Sequence, residues 1–136
     1  MQILTAFARH GAPTAKVRDW AGRWWTHWGA IDLQPMGRRV IVAAPGWLNP
    51  VMDASEIEVT GPDEGKIALA GGFANHGEAV RRKRGRNGAV TEVWLGGSCF
   101  LPERQIVHEL ERRYGNKAGA DRKQARPKRR RQERKR

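Results

Sequence analysis

Short segments of alternating apolar and polar residues, separated by turns that contain glycine or proline, follow one another through most of this chain. Alternation with a period of two residues is typical of strands that bury one face, and regular short spacing of such strands indicates a closed meander. The pattern predicts about eight strands, at residues 20–26, 30–34, 38–43, 56–60, 66–70, 78–84, 89–95 and 98–101. We therefore expect an all-β fold in which an antiparallel meander closes into a barrel.

The two ends of the chain differ from this middle part. Residues 1–18 form a lead-in segment, and a barrel domain with a terminal helix is expected over residues 19–115. Pro102 suits the start of that helix, because proline lacks the N–H that a first turn leaves unpaired. Residues 117–136 carry eleven lysines and arginines against two acidic residues, which is +9 of the chain's net charge of +12. Residues 116–136 are expected to be a disordered basic tail, because they have little apolar surface to bury.

Four tryptophans stand within nine residues, between Trp20 and Trp28. Each tryptophan buries roughly 150–250 Å² when it packs, so the cluster indicates either a closed core or an aromatic binding surface. The spacing of Gly22 and Trp24 on a first strand, followed by a break at Gly29, favours the opening hairpin of a small antiparallel barrel. We favour the core interpretation, and the binding surface stays open as the alternative.

The composition excludes several classes of protein. A single cysteine, Cys99, cannot form an intramolecular disulfide, and its apolar neighbours predict a buried thiol. No basic start followed by an apolar core is visible at the N-terminus, and no stretch approaches the roughly 20 apolar residues of a membrane span. A cytoplasmic location without a membrane span is therefore expected.

The segment from Trp20 to Leu101 resembles the C-terminal accessory β-barrel of β-lactamase-related, penicillin-binding-protein-like serine hydrolases. The motifs that carry this resemblance are Ala21-Gly-Arg-Trp24, Trp28-Gly29, Gly77-Glu-Ala-Val80 and the run from Asn87 to Gly97. The resemblance implies a lipocalin-like barrel that follows a catalytic domain and carries no catalytic residues. It also implies a structural or substrate-gating role, with a serine hydrolase catalytic domain as the partner.

The residues that such hydrolases use for catalysis are missing from this sequence. Their nucleophile lies in a Ser-x-x-Lys motif, whereas Ser55 is followed three residues later by Glu58 and Ser98 by Leu101. The four histidines share no spacing that would form a metal-ligand pair. We therefore expect no catalytic residue, no cofactor and no metal site.

Arg82 departs from the resemblance, because the family tends to place an aromatic residue at this position. Burying an arginine at an inward strand position without a counter-charge or hydrogen-bond acceptors would cost a great deal of free energy. Glu78 or a ligand anion could pair with Arg82, but we expect its side chain to snorkel outward or the strand register to shift. A lipocalin-like cup for a small ligand is the alternative function. The residues predicted to face the interior or a ligand are Trp24, Trp28, Glu78, Arg82 and Trp94.

Two groups of basic residues suggest a further alternative, a nonspecific nucleic-acid binder. The candidate contacts are Arg81, Lys83, Arg84 and Arg86 near one hairpin, and Lys128, Arg129, Arg130 and Arg131 in the tail. Basic side chains of this kind bind phosphates, and their affinity falls as the salt concentration rises. A solvated edge strand and a low-complexity terminus would explain the same residues without any binding role. Tryptophans that stack on bases beside the hairpin would have to face solvent.

Overall fold

The computed structural model describes residues 8–46, 54–69 and 74–115. These residues form one antiparallel sheet of eight strands, in which each strand pairs with its neighbours in chain order. The strands are β1 (Gly22–Thr26), β2 (Gly29–Met36), β3 (Arg39–Ala43), β4 (Ser55–Val59), β5 (Glu64–Leu69), β6 (Ala79–Arg84), β7 (Val90–Leu95) and β8 (Ser98–Phe100). The prediction of an all-β meander is confirmed.

The first and last strands meet and nearly close the sheet into a barrel. The N–H of Trp25 donates to the carbonyl of Leu101 at 2.8 Å, and the N–H of Leu101 donates back to the carbonyl of Trp25 at 2.9 Å. Because all strands alternate in direction, β1, β3, β5 and β7 begin at the same end of the barrel. We call this the lower end, and the opposite end, with the turn between Thr26 and Gly29, the upper end.

The lead-in segment covers the lower end. Helix α1 (Ala15–Arg18) buries Val17, and Trp20, which follows this helix, is only 1% exposed. The first strand therefore begins at Gly22, two residues later than the sequence pattern predicts. Trp20 does not belong to a strand because its ring enters the barrel core from below, together with Val17.

Aliphatic side chains fill most of the described barrel interior. Each strand contributes its inward-facing positions, and β2, for example, buries Ile31 and Leu33. The core cluster consists of Val17, Trp20, Ile31, Leu33, Val40, Val42, Ile57, Val59, Ile67, Val80, Val93, Leu95 and Phe100. Trp24 packs against this cluster and stays partly buried. The core interpretation of the tryptophan cluster thus holds for Trp20 and, in part, for Trp24.

The hairpin between β6 and β7 has a three-residue loop, Arg86 to Gly88. The N–H of Gly85 donates to the carbonyl of Ala89 at 2.9 Å, and Gly88 has a positive φ of 78°. Arg86 therefore belongs to the loop together with Asn87 and Gly88. The side-chain oxygen of Asn87 accepts from the N–H of Ala89 at 3.1 Å and stabilises the loop.

A helix follows the barrel, as predicted. Helix α2 (Glu103–Leu110) continues into a π-helical turn (Glu111–Gly115), and the described residues from Val107 onward belong to a second compact unit. Within that unit Glu109 accepts hydrogen bonds from Arg112 and Arg113, which lower its pKa to about 2. The tail predicted to be disordered, residues 116–136, lies outside the described residues.

Candidate functional site

Arg82 lies inside the barrel near its lower end. On β6 the side chains of Val80 and Arg82 point inward, whereas Arg81 and Lys83 are exposed. The side chain of Arg82 is only 1% exposed. An arginine buried to this degree is stable only when acceptors and counter-charges surround its guanidinium group.

Two acidic residues and two backbone carbonyls provide that environment. Arg82 Nη2 lies 3.0 Å from Asp19 Oδ2 and 3.0 Å from Asp63 Oδ1. Its Nη2 also donates to the carbonyl of Pro62 at 2.6 Å, and Nη1 donates to the carbonyl of Asp19 at 2.8 Å. Asp19 precedes β1 and Asp63 ends the turn between β4 and β5, so Arg82 connects three separate parts of the chain at the lower end.

Trp20 and Arg84 complete this cluster, which we call the arginine plug (Asp19, Trp20, Asp63, Arg82, Arg84). The guanidinium carbon of Arg82 lies 4.2 Å from the centre of the Trp20 ring, within the range of a cation–π interaction. Arg84 donates to Asp63 at 2.8 and 3.0 Å and to Asp19 Oδ2 at 2.9 Å. The plug therefore pairs two guanidinium groups with two carboxylates.

The charges of the plug stabilise the ionised carboxylates. Desolvation raises the pKa of Asp19, but hydrogen bonds from Arg82 and Arg84 outweigh it and bring the pKa below its usual value. Hydrogen bonds from Arg84, which exceed the opposing desolvation, lower the pKa of Asp63. The hydrogen bonds that Arg84 donates to Asp63 and Asp19 raise the pKa of Arg84. All of these shifts favour the fully ionised cluster.

The expectations for Arg82 were wrong in two respects. Its side chain does not snorkel, and the register irregularity of β6 falls after it, between Lys83 and Arg84, so Arg82 keeps its inward position. Glu78 is not its partner, because the Glu78 carboxylate accepts instead from the N–H of Asn75 at 3.1 Å. Sequence reasoning missed Asp19 and Asp63, which lie 63 and 19 residues before Arg82 and share no motif with it.

Two tryptophans predicted to face the interior lie at the surface instead. Trp28 is 84% exposed, because it occupies the tight turn between β1 and β2. Trp94 is 47% exposed, because it alternates with the inward residues Val93 and Leu95 on β7. The prediction that both side chains fill the barrel is therefore wrong. Any role of Trp28 or Trp94 in ligand binding stays a prediction.

Trp94 belongs to a polar cluster on the outer face of β6, β7 and β8. Its indole N–H donates to Glu92 Oε2 at 2.9 Å, and Lys83 Nζ donates to Glu92 Oε1 at 2.8 Å. These two hydrogen bonds lower the pKa of Glu92. Cys99 Sγ lies 4.0 Å from Glu92 Oε2, and partial burial, together with this carboxylate, raises the pKa of the thiol. Cys99 is half-buried, where the sequence predicted a buried thiol.

The basic residues of the β6–β7 hairpin fall into two groups. Arg84 belongs to the arginine plug and Lys83 pairs with Glu92, so neither presents an unpaired charge. Arg81 and Arg86 are exposed and form no ion pair within the described ranges, although Glu64 on β5 lies in register opposite Arg81. The predicted tail contacts Lys128, Arg129, Arg130 and Arg131 lie outside the described residues.

A small apolar pocket lies at the upper end, beside the exposed ring of Trp28. Its volume is about 140 Å³, and its lining includes Ile31, Ala44 and Phe100. Ligand pockets in proteins typically measure roughly 300–1,000 Å³, so this pocket holds at most a small side chain or fragment.

Both serines of the chain lie on strands. Ser55 is buried on β4, and Ser98 opens β8. Among residues 8–46, 54–69 and 74–115, no group of three or more His, Cys, Asp or Glu side chains could hold a metal ion.

No helix within the described ranges is both long and apolar enough to span a membrane.

No protein-family model matches this chain, and no curated protein matches it either.

Proposed function

We propose that this chain is a non-catalytic accessory β-barrel that acts beside a β-lactamase-like serine hydrolase catalytic domain, in a structural or substrate-gating role. One observation carries the proposal: an ion-paired arginine and aliphatic side chains occupy the described interior, so the groups able to recognise another molecule lie outside. The outward position of Trp28, which is 84% exposed, fits a surface that contacts a partner.

The positions of the resemblance motifs support this proposal. Gly22 and Trp24 open β1, Trp28-Gly29 forms its turn to β2, and Gly77 to Val80 leads into β6. The run from Asn87 to Gly97 covers the β6–β7 loop, all of β7 and the turn to β8. Each motif thus lies where an antiparallel barrel needs a turn or a strand start, in the order that the resemblance implies.

The alternative of a lipocalin-like ligand cup has less support. A cup needs an interior space, and an eight-stranded barrel has just enough room for side chains or for one small ligand. Here Arg82, Trp20 and the aliphatic core occupy that room, and the apolar pocket beside Trp28 measures only about 140 Å³. A second pocket at the upper end, lined by Glu78, Gly96 and Gly97, measures about 370 Å³, but its lining is mostly polar. Binding of a hydrophobic ligand would have to displace side chains from the core.

The test is a binding experiment with a hydrolase. The full chain is mixed with the catalytic domain of a β-lactamase-like serine hydrolase from the same genome, and the complex is measured by sedimentation velocity. We expect a complex that changes turnover of an ester or β-lactam substrate, and weaker binding for Trp28→Ala than for the matched variant Trp94→Ala. A genome without such a hydrolase, or no complex, contradicts the proposal. Covalent labelling of Ser55 or Ser98 by a serine-reactive phosphonate would contradict its non-catalytic part.

A further inference from the structure

We propose that the outer face of β6 and β7 binds single-stranded nucleic acid, with Trp94 stacking on a base and Arg81 contacting a phosphate. The inference is independent of the accessory role, because it concerns a different surface and a different ligand. We call this surface the Trp94 face (Arg81, Lys83, Glu92, Trp94).

Arg81 and Trp94 lie directly opposite each other on neighbouring strands. They form a register pair between β6 and β7, and both point away from the core. Directly opposite residues of an antiparallel pair have Cβ atoms roughly 4.5–5.5 Å apart, so a cation and an aromatic ring occupy one small area of the surface. A nucleotide presents the same combination in complementary form, an anionic phosphate beside an aromatic base.

The ring of Trp94 is held in place by two hydrogen bonds in series. Glu92 Oε2 accepts from the Trp94 indole N–H at 2.9 Å, and Glu92 Oε1 accepts from Lys83 Nζ at 2.8 Å. A ring fixed before binding loses less conformational entropy when a base stacks on it. Lys83 also neutralises the carboxylate, so Glu92 does not leave a net negative charge beside an approaching phosphate. Lys83 and Glu92 are therefore positioning residues for Trp94.

The charge of the molecule favours a polyanion as the ligand. Arg81 and Arg86 form no ion pair within the described ranges, although Glu64 on β5 lies in register opposite Arg81, whereas Lys83 and Arg84 are neutralised. Residues 1–116, which include this face, carry a net charge of +3 out of the chain's +12. Neutralisation of phosphates by such free cations releases counterions and makes affinity depend on salt.

The half-exposed indole distinguishes nucleic acid from other polyanions. An acidic peptide would use the arginines but not the flat face of Trp94, whereas every base has a π-face that stacks on an aromatic side chain. A duplex keeps its bases stacked inside and therefore cannot use the ring. Single strands are the form of nucleic acid that matches both features of the surface.

The test uses the full chain and a fluorescein-labelled single strand of about 12 nucleotides of mixed sequence, a length within the range that one small β-barrel covers. Binding is measured by anisotropy over a series of salt concentrations, with the same sequence as a duplex for comparison. We expect Trp94→Ala to weaken single-strand binding roughly tenfold or more, because stacking on one base is worth that much. Trp94→Phe should retain part of the affinity, and duplex binding should not change.

Matched variants separate the Trp94 face from general electrostatics. Trp28→Ala removes an even more exposed tryptophan that has no arginine opposite it, and should leave affinity unchanged. Arg81→Gln should lower the salt slope for single strands by about 0.7, the contribution of one phosphate contact. Arg38→Gln is the control, because Arg38 is an exposed arginine in the turn between β2 and β3, strands that do not pair with β6 or β7.

Several outcomes would overturn the inference. Trp94→Ala could bind the single strand as tightly as the unchanged chain, or Trp28→Ala could lose as much affinity. The unchanged chain could fail to bind, or polyglutamate could compete as well as an oligonucleotide of equal charge. The last result would identify an acidic protein as the ligand of this face. Circular dichroism confirms that each variant folds before it is compared.

Discussion

The guanidinium carbon of Arg82 lies 4.2 Å from the centre of the Trp20 ring, at the lower end of the barrel. Both side chains are almost fully buried, and each comes from a different part of the chain. Trp20 supplies an aromatic surface, and Asp19 and Asp63 supply the charges that arginine needs. The lead-in segment and the barrel are therefore joined by one cluster, and changes in this cluster should act on the stability of the whole β-domain.

Removing the counter-charges should cost more stability than removing the arginine. The double variant Asp19→Asn/Asp63→Asn leaves the buried Arg82 without a carboxylate, and we expect a loss of up to about 3–5 kcal/mol in the free energy of unfolding. Arg82→Met removes the charge together with its need for partners, and we expect a loss of about 1–2 kcal/mol. Urea denaturation at neutral pH measures both losses, and the reverse order would show that the plug is not held by its charges.

Acid should weaken the barrel through the same carboxylates. The folded-state pKa values of Asp19 and Asp63 are lowered, so their contribution is complete well above the usual value of 3.8 and is lost as the pH falls through the lower, folded values. We therefore expect the free energy of unfolding to fall steeply below about pH 4. Arg82→Met, as the control, should show a shallower fall in urea titrations over the same pH range. Equal slopes would contradict the assignment.

Gly37 should tolerate no side chain. Its φ is +56°, and a Cβ at this position would lie 2.0 Å from the carbonyl oxygen of His10. Gly88 has a φ of +78° but open space around it, so it is the matched control. We expect Gly88→Ala to cost about 1 kcal/mol from backbone strain alone, and Gly37→Ala to cost at least 2–3 kcal/mol. Similar melting temperatures for the two variants would show that the lead-in does not pack on the β2–β3 turn.

Cys99 should react slowly with alkylating reagents. Burial and the neighbouring Glu92 raise the pKa of its thiol, which reduces the thiolate fraction at neutral pH. We expect iodoacetamide to modify it more slowly than a free thiol, with Glu92→Gln faster than the unchanged chain. Lys83→Met should be slower, because it removes a nearby cation that favours the thiolate. Mass spectrometry over time at several pH values gives the rates, and a fast reaction at neutral pH would contradict the assignment.

The barrel could be predicted because the sequence features that indicate strands and turns are local. Alternation and turn residues lie within a few positions of one another, so Glu56 to Val59 and Val90 to Leu95 could be identified as strands without knowing their partners. Trp20 was assigned to the first strand for the same reason. Its actual role depends on the packing of α1 below the barrel, which no local pattern encodes.

The arginine plug could not be predicted from the sequence, because its residues lie far apart along the chain. The sequence identified Arg82 as an inward residue in need of a partner, but its partners Asp19 and Asp63 are fixed only when the strands are in register. Trp28 and Trp94 were misplaced because tryptophan was assumed to be interior. The alternation of inward and outward side chains along β7 would have placed Trp94 on the outer face, since Val93 and Leu95 occupy the inward positions on either side of it.

The claim that the barrel acts through its outer surface is tested most directly by the indole N–H signals of the full chain in a ¹H–¹⁵N NMR spectrum, recorded while the hydrolase catalytic domain is added. Tryptophan-to-phenylalanine variants assign the signals. We predict that the signal of Trp28 shifts or broadens, whereas those of the buried indole nitrogens of Trp20 and Trp24 do not move. The opposite result, in which a fatty acid shifts Trp24 and the catalytic domain shifts nothing, would contradict the accessory role and identify the barrel as a ligand cup.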